Sequence, residues 1–247
     1  MIPLQLKGRW LTLDILRGCA VILMIVYHFS FDLNYFGMIH QSFNYSVFWL
    51  DFRALIVTWF LVLVGISLQL ATRTSSRHYW LRLSRLVAAG LAVSAGSYLM
   101  FPQSYIFFGI LHFIAAASLI GRLFLRFYRV NLLLGGAMLV FGIIYSNPVF
   151  DKPWLQWIGL MTYKPVTEDY VPLFPWLGVV FIGLFLGKFM LLKARKVVSV
   201  TESEKHAPPV YGLLRVPAWM GQHALAIYLL HQPLLLGLFY LYERLRH

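Results

Sequence analysis

Apolar residues fall in seven stretches, roughly 12–35, 50–71, 82–101, 105–121, 130–146, 173–192 and 218–241, separated by short polar or proline-containing connections. Each stretch approaches the about 20 residues that a helix needs to cross a bilayer. In lipid every backbone polar group has to be satisfied within its own segment, so such stretches predict helices. The pattern predicts an all-α, polytopic transmembrane helix bundle of about seven spans. No internal repeat is visible, and a single integral-membrane domain over 1–247 is expected.

Two connections are long enough to have a character of their own. The one around 147–172 combines Pro148, Pro153, Pro165 and Pro172 with Trp154, Trp157, Glu168 and Asp169, which suits a structured outer loop closing over a site. The one around 193–216 carries Thr201-Glu202-Ser203-Glu204-Lys205 and Pro208-Pro209 and reads as a solvated cytoplasmic linker. Between the second and third stretches, Tyr79 to Arg85 reads as an interfacial helix start, with Tyr79 and Trp80 at headgroup level.

Composition agrees with a membrane protein. Of 247 residues 60% are hydrophobic and 12% charged, and mean hydropathy is +0.72, whereas a soluble domain has roughly 25% charged residues. The first stretch is too long and too rich in mid-span polar groups for a cleaved secretory signal. Cys19 is the only cysteine, which excludes an internal disulfide or a Cys-based zinc site; no metal is expected.

The net charge of +12 would suit a nucleic-acid binder, but its distribution points elsewhere. Lys7 and Arg9 precede the first stretch. Arg73, Arg77, Arg82 and Arg85 cluster at the second connection, Arg122, Arg126 and Arg129 at the fourth, and Lys188, Lys193, Arg195, Lys196, Lys205 and Arg215 at the sixth. By the positive-inside rule these connections and the N-terminus are cytoplasmic, and seven spans put the C-terminus outside. Arg244 and Arg246 run against that placement and leave an even number of spans open. Membrane lipids, and no nucleic acid, are the expected surroundings.

Candidate chemistry begins with Asp14, Arg17 and His28. Their spacings of three and eleven residues bring them to one helix face at 3.6 residues per turn, a stripe roughly 20 Å long. Ionisable groups inside a span are expensive and mark function by default. Asp32, one turn beyond His28, suits fixing its tautomer and raising its basicity. His40 lies just outside the span, where a substrate from the outer side would meet His28. His112 is placed for an interhelical hydrogen bond or a substrate contact. In His231-Gln232-Pro233, the proline removes a backbone donor and can free the carbonyl of Leu229, so His231 and Gln232 face the bundle interior; His223 is about 80° round the helix. Glu168-Asp169-Tyr170-Val171-Pro172-Leu173-Phe174-Pro175-Trp176 predicts a defined turn, with two carboxylates available to a cationic or hydroxyl-rich acceptor and Trp176 at the interface. Asp51 and Arg53 are expected to pair with each other or with Asp32.

Four of these blocks, in order, resemble a known family. Leu13-Asp14-x-Leu16-Arg17-Gly18 followed by His28, then Gly109-Ile110-Leu111-His112, then Asp169-Tyr170-x-Pro172-Leu173-x-Pro175-Trp176-Leu177-Gly178, then His223-x-Leu225-x-Ile227-Tyr228-Leu229-Leu230-His231-Gln232-Pro233, are similar to short bacterial members of the heparan-alpha-glucosaminide N-acetyltransferase catalytic-domain family. A more distant likeness, to acyltransferase family 3 membrane proteins, rests on Arg17-Gly18-x-Ala20 alone. The first resemblance implies transfer of an acetyl group from cytoplasmic acetyl-CoA to an amine or hydroxyl of a sugar or amino-sugar acceptor at the outer face, in a bacterial inner (cytoplasmic) membrane. In the lysosomal relative, an Asn in the first span and a His shortly after it are linked to catalysis. His28 stands where that Asn is expected and His40 is one residue out of register with the His, so either is the candidate base.

On this reading His28 or His40 is catalytic, and Arg17 near the cytoplasmic mouth binds a coenzyme phosphate with Asp14 beside it. His231 and Gln232 hold the thioester oxyanion, while Asp32, Asp169, Trp176 and His112 meet the acceptor. An oligomer is possible. The alternative is a small proton-coupled transporter in which His28, Asp32 and His231 relay protons.

Overall fold

The structure is a computed structural model and describes residues 5–6, 9–73, 75–198 and 212–246. A two-residue antiparallel pairing, β1 (Gln5–Leu6) with β2 (Arg9–Trp10), comes first. Otherwise the described chain is helical, as expected: α1 (Leu11–Tyr35), α2 (Val47–Leu70), α3 (Ser76–Met100), α4 (Ile110–Phe124), α5 (Arg129–Ile144), α6 (Leu173–Val198), α7 (Gly212–Gln222) and α8 (Ala224–Arg246).

Among the described residues, α1, α2, α3, residues Leu173–Lys193 of α6, and α8 are long and apolar enough to cross a membrane. Helices α4 and α5 coincide with the fourth and fifth apolar stretches but have only 15 and 16 residues. At about 1.5 Å per residue they reach about 22 and 24 Å, short of a hydrocarbon core of about 30 Å. Five helices therefore meet the length criterion where seven were expected. The last stretch, 218–241, is not one helix: it turns at His223, between α7 and α8. The expected linker at 193–216 lies mostly outside the described residues, since α6 continues to Val198 and α7 starts at Gly212.

The chain forms two compact units, Met1–Phe60 with Glu202–His247, and Leu61–Thr201. In the first, α1 packs on α7 and α8. Gly18 of α1 and Gly221 of α7 permit the closest approach. A Cβ on Gly18 would fall on the carbonyl oxygen of Pro217, and one on Gly221 on the carbonyl oxygen of Asp14. Small residues are how membrane helices bring backbones together, since lipid supplies no hydrophobic drive between apolar surfaces. Above this contact an apolar cluster of Val21, Met24, Tyr27, Phe43 and Ile56 forms the core.

In the second unit, α6 is the central helix. It meets α5 at Gly135 and Gly178, and α2 at Gly65 and Gly183, again backbone against backbone. Phe174 is extended (φ −97°, ψ 135°), and the regular helix follows from Pro175, a residue preorganised for a first helical turn. Tyr79 is not free at a headgroup surface: its hydroxyl donates to the Ser118 carbonyl at 3.1 Å, and the Arg122 guanidinium lies 3.9 Å over its ring.

Candidate functional site

Helix α1 carries two polar groups at different heights. At its start, Arg17 Nη1 donates to Asp14 Oδ1 at 2.9 Å and to the Gly221 carbonyl of α7 at 3.3 Å. Asp14 is buried and the Arg17 side chain is a quarter exposed. The pair therefore ties α7 to α1. About 16 Å beyond Arg17 comes His28. Val21 and Met24, both buried, occupy the same side of the helix in between, so the polar stripe is interrupted by core.

At His28 the partner is α8. The His28 and His231 rings lie 4.9 Å apart between centroids, at 63°, and Tyr27 meets His28 edge-on at 5.6 Å. His231 is buried, with Nδ1 2.7 Å from the Tyr228 carbonyl. A carbonyl only accepts, so Nδ1 carries the proton and Nε2 of the neutral ring presents a lone pair. One turn beyond His28, Asp32 is 2% exposed. Its Oδ1 accepts from Gln232 Nε2 at 2.8 Å, so the carboxylate is oriented by α8 and not by His28.

Three buried atoms of this cluster have no hydrogen-bond partner: Asp32 Oδ2, His231 Nε2 and Gln232 Oε1. Each such orphan costs about 1–3 kcal/mol, and native structures rarely carry them without a reason. All three are acceptors, and they sit on neighbouring residues of α1 and α8.

The other expected residues fall elsewhere. His40 is exposed in the connection after α1 and shares no hydrogen bond or ring contact with the cluster among the described residues. His223 stacks on Trp219 at 4.7 Å and is exposed. Arg53 lies in hydrogen-bonding reach of the Tyr27 hydroxyl, and among the described residues no ion pair joins it to Asp51 or Asp32.

His112 and Asp169 belong to the second unit, where they meet at the start of α4. Gly109 has no side chain to cap that helix. Asp169 Oδ2 replaces it, accepting the Ile110 N–H at 2.8 Å, while His112 Nδ1 accepts the Gly109 N–H at 3.3 Å. Ser94 Oγ donates to the Ile106 carbonyl at 2.5 Å and so accepts from His112 Nε2 at 3.2 Å. Both ring nitrogens are thus engaged within the chain. A Cβ at Gly109 would collide with the Asp169 carboxylate, so glycine there and aspartate at 169 form one device. Asp169→Ala is expected to cost about 1 kcal/mol of stability, the usual worth of a cap, with kcat unchanged. Thermal unfolding alongside turnover checks this; a loss of kcat at unchanged stability would instead give Asp169 a substrate contact.

The loop before α6 is held by its own hydrogen bonds. Asp151 accepts from Thr162 N and Oγ1, both at 2.8 Å, and Gly159 takes the left-handed φ of 92°. Tyr170 donates to the Gln156 carbonyl at 2.6 Å. Burial pushes its hydroxyl well above the usual tyrosine range, so it remains a neutral donor. Glu168 accepts from Ser104 at 2.5 Å. Trp176 stands half-buried at the start of the regular part of α6.

The motifs did not reveal Tyr228, whose carbonyl sets the His231 tautomer, or Ser94 behind His112. A carbonyl three residues before a histidine has no side-chain signature, and Ser94 is one of four serines along α3 with nothing in the sequence to single it out.

Membrane-length helices and a polar cluster inside one helical unit point to an integral membrane protein with buried polar groups between α1 and α8. The family model described as heparan-alpha-glucosaminide N-acetyltransferase, catalytic, matches residues 9–233. This spans most of the chain and contains every member of the His28–His231 cluster, and the protein belongs to that family. Membership implies a transmembrane acetyltransferase. No curated protein matches the chain. No solved structure matches it either.

Proposed function

We propose that the protein takes an acetyl group from acetyl-CoA on the cytoplasmic side and passes it to an amine or hydroxyl of a sugar or amino-sugar acceptor at the outer face of a bacterial inner membrane. The observation that carries this reading is the set of three unpartnered buried acceptors on Asp32, His231 and Gln232. An amino sugar offers the matching donors. The basic connections at 73–85, 122–129 and 188–196 support a cytoplasmic N-terminus.

The thioester supplies the activated acyl carbonyl. His231 Nε2 takes the proton from the attacking nitrogen or oxygen as that atom bonds the carbonyl carbon, and the C–S bond then breaks with the thiolate leaving. His231 is the better base of the two histidines because the Tyr228 carbonyl fixes its tautomer; His28 packs beside it and keeps its ring in place. Asp32, aimed by Gln232, receives hydrogen bonds from the acceptor. Arg17 holds α7 on α1 through the Gly221 carbonyl, so it is a positioning residue whose guanidinium also sets positive charge near an anionic coenzyme.

Thermal stability of the purified protein with acetyl-CoA, coenzyme A or ATP tests the donor without knowing the acceptor. At about 100 times its dissociation constant a ligand stabilises by about 2.7 kcal/mol. A shift with both coenzymes and none with ATP is expected. A folded protein that responds to no coenzyme would overturn the donor assignment and favour a proton relay through the same cluster.

A further inference from the structure

The second unit contains a cavity of about 260 Å³ that acetyl transfer at His231 does not use. Gln69 and Thr72 line it from the end of α2, Arg126 from just after α4, and Lys188 from α6, with Leu191 and Leu192 as an apolar wall. Two cations from different elements share it, and no carboxylate lines it. The absence is built in: the sequence has no Asp or Glu between Asp51 and Asp151, or between Asp169 and Glu202.

Topology alone accounts for part of this. Basic residues gather at one end of membrane helices, and a lysine near a helix end extends its ammonium to the interface. Neither effect explains Gln69. It is 1% exposed, and its buried Oε1 has no partner. Gly187 makes room for it: a Cβ there would stand 2.8 Å from the Gln69 Cβ. None of Arg126, Lys188 and Thr72 bonds this amide oxygen, so it stands as an open acceptor beside a cationic cavity.

We propose that this cavity binds a phosphate ester that also carries a hydroxyl or amide hydrogen. Arg126 and Lys188 take the phosphate oxygens, and Gln69 Oε1 accepts the ligand's N–H or O–H. The volume, roughly nine waters at about 30 Å³ each, accommodates a phosphate with a short polar arm. This inference does not rest on the acetyl-transfer reading. A soluble ester, such as the phosphate end of a coenzyme, and the glycerol phosphate of an anionic lipid share the chemistry.

The test uses the full chain in nanodiscs. In phosphatidylcholine discs, binding of adenosine 3′,5′-bisphosphate and of coenzyme A is measured by calorimetry. In a second arm, phosphatidylglycerol retained after transfer to detergent is counted by native mass spectrometry. Wild type is compared with Arg126→Gln, Lys188→Gln, Gln69→Leu and, as a control for diffuse charge, Arg77→Gln. Loss of one charge-assisted bond is expected to weaken binding about tenfold, in whichever arm carries the ligand, with Arg77→Gln equal to wild type. Loss in the soluble arm identifies a free ester; loss in the lipid arm identifies a headgroup. No binding in either arm overturns the proposal, as does an equal loss in Arg77→Gln. Unchanged binding in all three cavity variants overturns it too. Melting temperatures show that each variant is folded, and Arg126→Gln, at an exposed position, keeps the test usable if Gln69→Leu does not fold.

Discussion

His231→Gln is expected to slow acetyl transfer at least about 100-fold while leaving the protein folded and able to bind coenzyme. Positioned acid–base groups contribute typically about 10²–10⁴ in rate, and His231 is the group whose proton position the structure determines. Its Nδ1 hydrogen is committed to the Tyr228 carbonyl, so Nε2 is a lone pair with nothing to bind until substrate arrives. His28→Gln is expected to fall less, because His28 acts through its packing on the His231 ring. The measurement is single-turnover transfer from labelled acetyl-CoA to amino sugars, with coenzyme affinity measured in parallel. A His231→Gln enzyme with wild-type turnover would remove it as the base. A larger loss in His28→Gln than in His231→Gln would give the proton to His28.

Asp32→Asn separates orientation from charge. The Gln232 hydrogen bond to Oδ1 survives with the amide oxygen in that position, whereas the unpartnered Oδ2 is replaced by a donor. An acceptor amine should lose affinity, with KM rising about tenfold for one lost charge-assisted bond and kcat little changed. Steady-state kinetics with an amino sugar at saturating acetyl-CoA reads the split, and a fall in kcat at constant KM would assign Asp32 to the chemical step.

How much of this was legible in the chain differs from element to element. The apolar pattern located α1, α2, α3 and α6 to within a few residues at most ends, because burial in lipid and helix length are both written in composition. It also located α4 and α5, but not their shortness, since Gly109 and Phe124 end a helix through capping and tertiary contacts that no hydropathy window contains. The break at His223 was hidden for the same reason: α7 has Pro217 inside it and owes its position to Gly18 and Gly221. Within the site, the rule that an ionisable group in a span signals function picked out His28, Asp32 and His231 as candidates. It could not pair them. Asp32 and Gln232 are 200 residues apart, and the Gly109–Asp169 cap depends on a side chain that is absent. The sequence already made His231, beside Pro233, more telling than His112; the structure adds that both His112 nitrogens are engaged whereas His231 Nε2 has no partner.

Gly18→Ala should unfold or loosen the first unit more than any other single methyl group added to α1. The Cβ would fall on the carbonyl oxygen of Pro217, with the Pro217 carbonyl carbon and Cα also in contact. All three are backbone atoms, so no side-chain rotation relieves the clash and α7 has to move as a body. Overpacking of this kind costs typically about 1–3 kcal/mol and occasionally more; the upper end is expected here, because moving α7 also breaks the Arg17 hydrogen bond to the Gly221 carbonyl. The displacement reaches the site, since α7 packs on α8 and α8 carries His231 and Gln232. Gly237→Ala in α8 is the control. Its Cβ meets nothing within 4 Å, and replacing an open helical glycine by alanine gains about 0.5–1 kcal/mol. Thermal unfolding of both variants, with acetyl transfer measured below the lower transition, should show stability and activity falling together for Gly18→Ala and neither falling for Gly237→Ala. If Gly18→Ala melts with the wild type, the close approach of α1 and α7 is not what holds the first unit together, and His231 is placed by α8 alone.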